Sequence, residues 1–573
     1  MNNREISNIL SETARLMELH GINAFKIKSI QNAAFNISKL DVALNTLSIS
    51  EIEQLKGIGK SISIKIQEII SSGTLNELEV FLNDTPHGVV EMMHIKGIGP
   101  KKVAVLWKSL GVETPGELLY ACNENRLTEL KGFGLKTQEQ IKKAIEYFQS
   151  NKGLFHFAAV EKSAQNILEL LVNIPGVKQV SFTGELRRKC EILDAMEFIL
   201  ETTDHQNVIS SIHAIPAFAI YEKQFVENSF YFSCENLPNC IIHLATPENF
   251  AIQLLLTTGS KKHIEELALD KLNLVSNSQL FNSEEKIYKS CGLHFIEPEL
   301  REGLGEIELA RNAALPQLIE FENLKGCLHN HSTHSDGSNT IREMAEECIK
   351  NGYQYFGICD HSKSAFYANG LSEERVQQQH IEIDLLNKDL VPFKIFKGIE
   401  SDILPDGSLD YNDEVLEKFD FVVASVHSVL KMTEQKATDR LIKAISNPFT
   451  TILGHPTGRL LLARNGYPID HQAVIDACAK FNVVLELNAN PYRLDIDWRW
   501  IRYAVEKGVM ISINPDAHHI SGIHDMYYGI CVARKGMLTA AHTFNAKSVQ
   551  EVHQWFTHRK SSSSFKNEIP FNK

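Results

Sequence analysis

The chain has no apolar run long enough to cross a bilayer, and its first stretch, MNNREISNILSETARL, contains acidic residues and no continuous apolar core. Its ten cysteines form no Cys-x-x-Cys pair. Scattered cysteines favour reduced thiols over a disulfide framework or a Cys-based zinc site. These absences argue against a membrane or secreted protein, so we expect a cytoplasmic protein with no membrane partner.

The sequence also lacks an excess of positive charge. It has 58 Lys and Arg against 71 Asp and Glu, and its formal net charge is −13. Nonspecific binding of nucleic acid depends on Lys and Arg that neutralise phosphates, so bulk attraction is not expected, while local contacts remain open. The 573 residues, 43% hydrophobic and 23% charged, predict a well-folded chain of several domains.

One short window, Cys327 to Ser362, concentrates residues that bind metals. Imidazoles and carboxylates at His-x-His spacing near the tip of a strand can face one divalent cation, and Zn²⁺, Mn²⁺ and Fe²⁺ accept that mixture. A single His-x-His is weak evidence, because it also occurs in surface loops by chance. The window contains His329, His331, His334, Asp336, Asp360 and His361.

Residues of the same type recur downstream, after short apolar runs. KIFKGIE, FVVASVH, TILGHP and VMISINPDAHH have the length and β-branching of buried parallel strands, and helical stretches such as HQAVIDACAKFN lie between them. This repeat, from Gly326 to about Ala546, predicts a (β/α) barrel with its chemistry at the carboxyl ends of the strands. A hydrogen-bonded core role is the alternative for any single histidine, but it accounts poorly for nine such residues, nearly all at strand ends.

The set resembles the polymerase and histidinol phosphatase (PHP) phosphoesterase domain. The resemblance implies a distorted (β/α)7-type barrel that holds up to three divalent metals, Mn²⁺, Zn²⁺ or Fe²⁺. Such metals lower the pKa of bound water and take up charge on phosphoryl oxygens, so hydrolysis of a phosphate ester is the implied reaction. By motif, the implied ligands are His329, His331, Asp336, His361, Glu400, His427, His455, Asp516 and His518.

Some of these residues and their neighbours have further implied roles. Within the set, Asp336, Glu400, His427 and Asp516 are expected to act in catalysis. A cationic side chain near the metals suits a phosphate oxygen, with a solvated surface role as the alternative for Lys363 and Arg464. The residues expected to face phosphate or substrate are Lys363, Arg459, Arg464 and Asn488.

The first segment is helical by its apolar spacing and repeats one pattern, an apolar residue, Lys-Gly-x-Gly and a Lys-bearing helix start. The copies are LKGIGKSISIKIQEI, IKGIGPKKVAVLWKSL and LKGFGLKTQEQIKKAI. Paired glycines allow a tight turn and leave the amides of the next helix open to a phosphate; a plain turn is the alternative, which three copies disfavour. The copies resemble helix-hairpin-helix motifs, with DNA contacts expected at Gly57, Gly59, Lys60, Gly97, Gly99, Lys101, Gly132 and Gly134.

The middle of the chain resembles a polymerase palm. GELRRKCEILDAMEFIL, Gly184 to Leu200, followed by HLATPENF and TTGSKKH, is similar to the palm of a bacterial family X DNA polymerase that carries a C-terminal PHP domain. With the helical segment before it, the likeness covers nearly the whole chain.

The palm then departs from that family. A nucleotidyltransferase palm needs two carboxylates at i and i+2 on one strand and a third on a neighbouring strand to hold two Mg²⁺ ions. Those positions are Ala195, Glu197 and Ile241, and Glu185 replaces the Ser that meets the triphosphate. Asp194 would serve only if the strand register slipped. We expect polymerase activity to be absent or weak, with Mg²⁺ used only if it remains.

The predicted fold is a multidomain α/β protein with an all-α helix-hairpin-helix region, an α+β palm and a PHP barrel. The predicted domains are a helical DNA-binding domain at 1–85, a fingers-like helical segment at 86–153, palm and thumb at 154–297, a linker at 298–324, the PHP domain at 325–556 and a flexible tail at 557–573.

The resemblance implies a metal-dependent 3′-to-5′ DNA exonuclease or 3′-end processing enzyme in DNA repair. It would act as a monomer on DNA ends, gaps or recessed primers. The alternatives are a gap-filling family X polymerase in base-excision repair, a noncatalytic scaffold that binds DNA ends, and a phosphatase of a small metabolite.

Overall fold

The computed structural model describes residues 1, 3–38, 40, 42–95, 97–150, 153–214, 223–226, 229–232, 237–267 and 281–561. None of the helices in these ranges combines the length and the apolar character needed to cross a membrane. The chain divides into two compact units, Met1–Phe148 and Gln149–Lys573. The predicted domain at 1–85 and all but the last residues of the predicted segment at 86–153 fall in the first unit, and the boundary between them stays a prediction.

The first unit is all helical. In its first helix the buried residues Ile6, Leu10, Ala14 and Met17 recur every three or four positions, which places them on one face. Gly73 and Gly111 end the fourth and seventh helices with φ of 83° and 67°, a conformation that glycine adopts without strain. The helices are α1 Asn3–Leu19, α2 Ala24–Ile37, α3 Ile49–Glu53, α4 Lys60–Ser72, α5 Asn76–Asn83, α6 His87–Met93, α7 Pro100–Leu110, α8 Pro115–Asn123 and α9 Leu135–Ser150.

The second unit begins with a mixed sheet of five strands in the order β2-β4-β7-β6-β5, in which only β4 and β7 pair in parallel. Phe198, Phe230 and Ile242 are buried in its core. The elements are β1 Phe155–His156, α10 Phe157–Val172, β2 Val177–Thr183, α11 Gly184–Arg187, β3 Ile192–Leu193, β4 Ala195–Thr202, α12 His205–Ala214, β5 Lys223–Val226, β6 Ser229–Phe232, β7 Asn239–Ala245, α13 Phe250–Thr258, α14 Lys261–Leu267, α15 Glu284–Ser290 and α16 Glu306–Arg311. Helix α16 lies within the predicted linker.

A nearly closed parallel barrel follows, with seven strands in chain order from β8 to β14. Strands such as β11 and β13 are buried along their whole length, as expected of parallel strands covered by helices. The elements are β8 Gly326–Cys327, α17 Ile341–Lys350, β9 Tyr355–Ile358, α18 Glu373–Asp389, β10 Lys394–Asp402, α19 Asp413–Leu416, β11 Phe421–Ser425, α20 Glu434–Ile445, β12 Ile452–Leu453, α21 His471–Phe481, β13 Val484–Asn488, α22 Ile501–Glu506, β14 Ile511–Asn514, α23 Met526–Lys535 and α24 Val549–Ser561.

The predicted fold class is confirmed, with a helical N-terminal region and a parallel barrel in the C-terminal part. The two barrel ends approach each other at a parallel bridge between Asn330 and Ala517. Helix α24 packs into the barrel, where the ring of Phe556 stacks on Phe421 at 5.2 Å. This helix extends into the first part of the predicted tail, and residues 562–573 lie outside the described ranges.

The palm and the barrel share a buried ionic contact. Lys535 of α23 donates to Glu302 (2.5 Å) and to the carbonyl oxygen of Arg188 (3.1 Å), and Arg188 donates to the same carboxylate (3.0 Å). Burial disfavours the charged form of Lys535, but Cys190 and Glu302 beside it raise the pKa of its ammonium group above the ordinary value. The contact therefore fixes the palm to the barrel.

Replacing Lys535 with Met should lower the free energy of unfolding of the second unit by about 3 kcal/mol, because Glu302 and the Arg188 carbonyl group lose a buried partner. Urea unfolding measures the change. The matched control is Arg342→Met, which removes the exposed pair of Arg342 with Asp389 (2.8 Å) and should cost less than about 1 kcal/mol. Equal losses in the two variants would contradict this account of the contact.

Candidate metal centre and DNA-contact turns

The residues predicted as ligands lie at the carboxyl-terminal edge of the barrel. Parallel strands end at a common edge, so residues far apart in sequence meet there. His329 and Asp516 have positive φ, 59° and 52°, which is uncommon for residues other than glycine. The backbone therefore turns sharply at both residues, just after strands β8 and β14. His329 and His331 follow β8, Asp336 lies in the loop after them, His361 follows β9, Glu400 lies in β10, His427 follows β11, His455 follows β12, and Asp516 and His518 follow β14.

These side chains form four overlapping groups with the spacing of metal-binding donors. Within each group one donor atom from every residue lies within 4.8 Å of the others. The groups share members, so the structure brings all nine predicted ligands into one cluster. The groups are His331, Asp336, His361 and His518; His329, Glu400 and His455; His329, His331 and Asp516; and His361, Glu400 and His427.

Glu400 lies at the centre of the cluster. Its Oε1 atom is 2.9 Å from His455 Nε2, 3.1 Å from His427 Nε2 and 3.3 Å from His329 Nε2. Its Oε2 atom is 2.9 Å from His361 Nδ1. With imidazoles around both of its oxygens, Glu400 could hold divalent cations together with these histidines.

The two aspartates join the remaining histidines. Asp516 Oδ1 is 3.0 Å from His331 Nε2 and 3.5 Å from His329 Nε2. Asp336 Oδ1 is 3.6 Å from His361 Nε2 and 3.5 Å from His518 Nε2. Asp336 Oδ1 also lies 4.0 Å from His331 Nδ1, and Asp516 Oδ1 lies 3.9 Å from His518 Nδ1. Each aspartate therefore faces three imidazoles, and the two approach different nitrogens of the His331 ring.

Burial and mutual proximity set the charges. Burial raises the pKa of Glu400 and Asp516, but the surrounding histidines outweigh it and hold both pKa values well below the ordinary range. Burial lowers the pKa of His427, yet Glu400 and Asp402 raise it to about 10. Burial and neighbouring cations lower the pKa of His331 and His455. The low pKa values of Glu400 and Asp516 favour their ionised forms, which suits the cluster to bound positive charge.

Divalent cations fit this donor set. His329 Nε2, His331 Nδ1 and Glu400 Oε2 are buried and make no hydrogen bond within the described part of the chain. His361 Nδ1 also lacks one there, although it lies 2.9 Å from Glu400 Oε2, because the atoms are not aligned for a hydrogen bond. Buried polar atoms without partners are costly, and coordination to a cation would satisfy them.

Two buried carboxylates that sequence reasoning missed orient the histidines. Glu486 of β13 accepts a hydrogen bond from His329 Nδ1 (2.6 Å) and one from the backbone amide of His455 (2.7 Å). Asp402 of β10 accepts one from His427 Nδ1 (2.5 Å). Such contacts turn the other ring nitrogen toward the metals. The only signal in the sequence is an acidic residue inside an apolar strand, in VVLELN and KGIESD.

The residues predicted to face phosphate lie in different surroundings. Asn488 Nδ2 donates to Asp516 Oδ2 (3.1 Å) and so adjoins the cluster. Arg459 is bonded to Asp497 (2.6 Å), and Arg464 donates to the carbonyl oxygen of Gly458 (2.9 Å). Lys363 is half exposed and lies 3.7 Å from Glu373. Their roles toward phosphate stay predictions.

The remaining members of the His-rich window support the loop that holds Asp336. Asp360 accepts hydrogen bonds from the backbone amide of Ser332 (2.7 Å) and from the side chains of Ser335 and Gln379 (both 2.5 Å). His334 is bonded through Nε2 to Glu382 (2.8 Å) and belongs to none of the four donor groups.

The three Gly-x-Gly copies have one geometry. Gly57, Gly97 and Gly132 have φ of 83°, 89° and 94°, and the apolar residue after each is buried. Gly59 and Gly99 precede the first residues of α4 and α7, and Gly134 precedes α9. Around Gly59, Gly97, Gly99, Gly132 and Gly134 a Cβ atom would meet no described atom within 4 Å.

The open space around these glycines suits backbone contact between the next helix start and a phosphate. Lys60 begins α4 and is exposed. Lys101 in the first turn of α7 is also exposed, with Glu18 at 3.7 Å. A Cβ atom on Gly57 would lie 2.3 Å from Asn36 Nδ2, so this glycine also allows close packing.

The palm positions share one face of the sheet. Ala195 and Glu197 are two apart on β4, and Ile241 of β7 pairs with Glu197. Glu197 Oε2 lies 3.3 Å from His243 Nε2. Burial, and Asp194 nearby, raise the pKa of Glu185 above its ordinary value. The absence of polymerase activity stays a prediction.

Comparison with known proteins identifies these parts. Residues 1–75 match the helix-hairpin-helix domain, residues 89–146 the SAM-like helix-hairpin-helix tandem and residues 328–490 the PHP domain. The fold and the cluster thus define a PHP-domain protein with an N-terminal helix-hairpin-helix region.

The relatives narrow this class. The DNA polymerase/3′-5′ exonuclease PolX of Bacillus subtilis (strain 168) is 37% identical over 566 residues, which cover 96% of this chain and 99% of the relative. The chain belongs to the PolX family, the bacterial family X DNA polymerases with a PHP domain. Probable phosphatases of Thermoanaerobacter sp. (strain X514) and Acetivibrio thermocellus are each 29% identical to this chain. The aligned region covers 33% of this chain in both cases, and 77% and 78% of the two phosphatases.

Replacing His329 and His331 together with Ala should remove most bound Mn²⁺, because these residues belong to three of the four donor groups. We expect the variant to retain at most about one ion per chain after gel filtration, measured by elemental analysis. His334→Ala is the matched control and should keep the wild-type metal content. Loss of metal in the control, or unchanged content in the double variant, would refute the assignment.

Proposed function

We propose that this chain is a metal-dependent phosphoesterase that removes nucleotides from DNA 3′ ends and acts in DNA repair. The observation that carries the proposal is the cluster of nine donors at the edge of the barrel. It is supported by the near full-length similarity to a relative named as a 3′-5′ exonuclease. The helix-hairpin-helix matches at residues 1–75 and 89–146 favour a nucleic-acid substrate over a small ester, because a phosphatase of a small metabolite has no need of them.

The nine donors are proposed to hold divalent cations, with Mn²⁺ favoured over Zn²⁺ and Fe²⁺. When bound, such cations supply Lewis acidity, which acidifies water and stabilises negative charge on phosphoryl oxygens. Glu400, Asp336 and Asp516 contribute anionic oxygens. His427 and His329 are fixed by Asp402 and Glu486, so their Nε2 atoms point into the cluster. Lys363 and Asn488 are proposed to contact the phosphate.

The N-terminal unit is proposed to bind DNA through its backbone. The support is the repeated turn, in which an apolar residue is buried and the glycines leave the next helix start open. Contacts of this kind do not read bases, and the net charge of −13 limits bulk attraction. Binding should therefore be modest and sensitive to salt. A monomer in the cytoplasm is proposed from the sequence alone.

The palm is proposed to act as a scaffold with little or no polymerase activity. Ala195 and Ile241 replace carboxylates, and the two arginines that follow Leu186 form salt bridges within the protein. Arg187 bonds Glu284 (2.6 Å) and Arg188 bonds Glu302 (3.0 Å). The word polymerase in the name of the Bacillus relative favours gap filling as the second candidate function, with Mg²⁺ as its cofactor.

A primer with a 5′ label, annealed to a template, separates the two functions. With Mn²⁺, the protein should shorten the primer whether or not the four dNTPs are present, and sequencing gels follow its length. The His329→Ala and His331→Ala double variant should reduce turnover by orders of magnitude and bind DNA nearly as the wild type does, while His334→Ala should remain active. Extension with dNTPs would support gap filling, and an unchanged primer would refute both functions.

A charge placed at the N-cap of α7 tests the DNA-contact turns. Gly99 has φ of −86° and open space around it, and both Asp and Asn are good N-caps, so neither should disturb the helix. Gly99→Asp should weaken DNA binding roughly tenfold, because its carboxylate would occupy the helix amides and repel the DNA phosphate. Gly99→Asn carries no charge and should weaken binding less.

Fluorescence anisotropy at several salt concentrations measures this affinity, and circular dichroism checks the helices. Equal affinity of the Asp variant, the Asn variant and the wild type would mean that this turn only connects two helices.

A further inference from the structure

One loop beside the cluster exposes an aromatic side chain. The loop follows β9 and the ligand His361, and its tip is the turn Phe366–Ala368. Phe366 is 89% exposed, the largest exposed fraction of any large hydrophobic side chain in the described ranges. A single exposed apolar residue is ordinary on a protein surface, so only the position of Phe366 can indicate a role.

The neighbour of Phe366 contacts the cluster. The ring centroid of Tyr367 lies 6.1 Å from that of His361 and 6.5 Å from that of His427. Phe366 is the adjacent residue on the same short turn, with its Cα atom about 3.8 Å from that of Tyr367, so it lies next to the residue that contacts the cluster. Val429, two residues after His427, is also an exposed apolar side chain at this edge.

The loop itself is firmly held. Its ends pair at a bridge between Ser362 and Leu371, and Tyr411 donates to the carbonyl oxygen of Leu371 (2.5 Å). Asn369 contacts the carbonyl oxygens of His334 and Ser335 at 3.5 Å. A Cβ atom on Gly370 would lie 1.9 Å from the carbonyl oxygen of Ser362, so the backbone is tightly packed. Phe366 is thus presented to solvent by an ordered loop.

A cation lies in the same loop. Lys363 has a side chain that is 45% exposed, and its Nζ atom is 5.2 Å from the centre of the Tyr411 ring. The edge therefore combines a cluster that would hold phosphate-binding cations, an exposed aromatic ring and a positively charged side chain. A nucleotide at a strand end offers the matching groups, which are a scissile phosphate, a base and a further phosphate.

We propose that Phe366, supported by Tyr367, is a stacking platform for the base of the 3′-terminal nucleotide. The proposal rests on the proposed exonuclease function and deepens it. Small phosphate esters without a base gain nothing from this contact.

The test compares two oligonucleotides with 5′ labels, one with a normal 3′-terminal nucleotide and one whose terminal residue is a tetrahydrofuran analogue without a base. Removal of the terminal residue is measured as kcat/KM with Mn²⁺ for the full chain. Phe366→Ala should lower kcat/KM on the normal end about tenfold, mainly through KM, and Phe366→Trp should restore it. On the end without a base, the difference between Phe366→Ala and wild type should disappear.

Leu385→Ala is the matched control, because Leu385 is 57% exposed on α18 and contributes to no part of the proposed site. It should behave as the wild type on both substrates. Equal kcat/KM of Phe366→Ala and wild type on the normal end, or an equal loss on both ends, would overturn the platform while the exonuclease function stands. A wild-type protein that shortens neither oligonucleotide would refute the proposed function and the platform together.

Discussion

The structure depends on keeping ionised carboxylates buried at the edge of the barrel. An isolated buried carboxylate is strongly unfavourable, and only nearby positive charge or coordination makes it tolerable. Glu400 meets that condition because imidazoles from four different loops surround its oxygens. The barrel must therefore bring β8, β9, β11 and β12 to one point around β10, and a shift of β10 by one residue would turn Glu400 to its other face.

Much of this arrangement could be predicted from the sequence. Short apolar runs that end in His, Glu or Asp indicate parallel strands with ligands at their carboxyl ends, and the order of those runs gives the order of strands in the barrel. The Gly-x-Gly copies likewise predict turns before helices, and the structure has a helix start after each copy. These features are local or periodic, so a single chain reveals them.

Other features could not be predicted because they depend on partners distant in sequence. Nothing local to Glu486 indicates that it would meet His329, which lies 157 residues away. Arg459 follows the predicted ligand His455 closely, yet its guanidinium group is bonded to Asp497 on a later loop. In the palm, Arg187 and Arg188 have the composition of an anion site but lie against Glu284 and Glu302. Tertiary contacts decide such roles.

Contacts between the palm and the barrel give the palm a role that does not require nucleotide chemistry. Nε2 of His156 donates to the carbonyl oxygen of Leu461 (2.9 Å), and its ring packs on Tyr492 at 4.7 Å. Leu461 and Tyr492 lie in the loops after β12 and β13, and a backbone hydrogen bond of 2.7 Å joins them. The palm thus packs against the loops that follow β12 and β13, beside the cluster. This packing uses none of the carboxylates of a polymerase site, so Ala195 and Ile241 leave the support of the barrel intact.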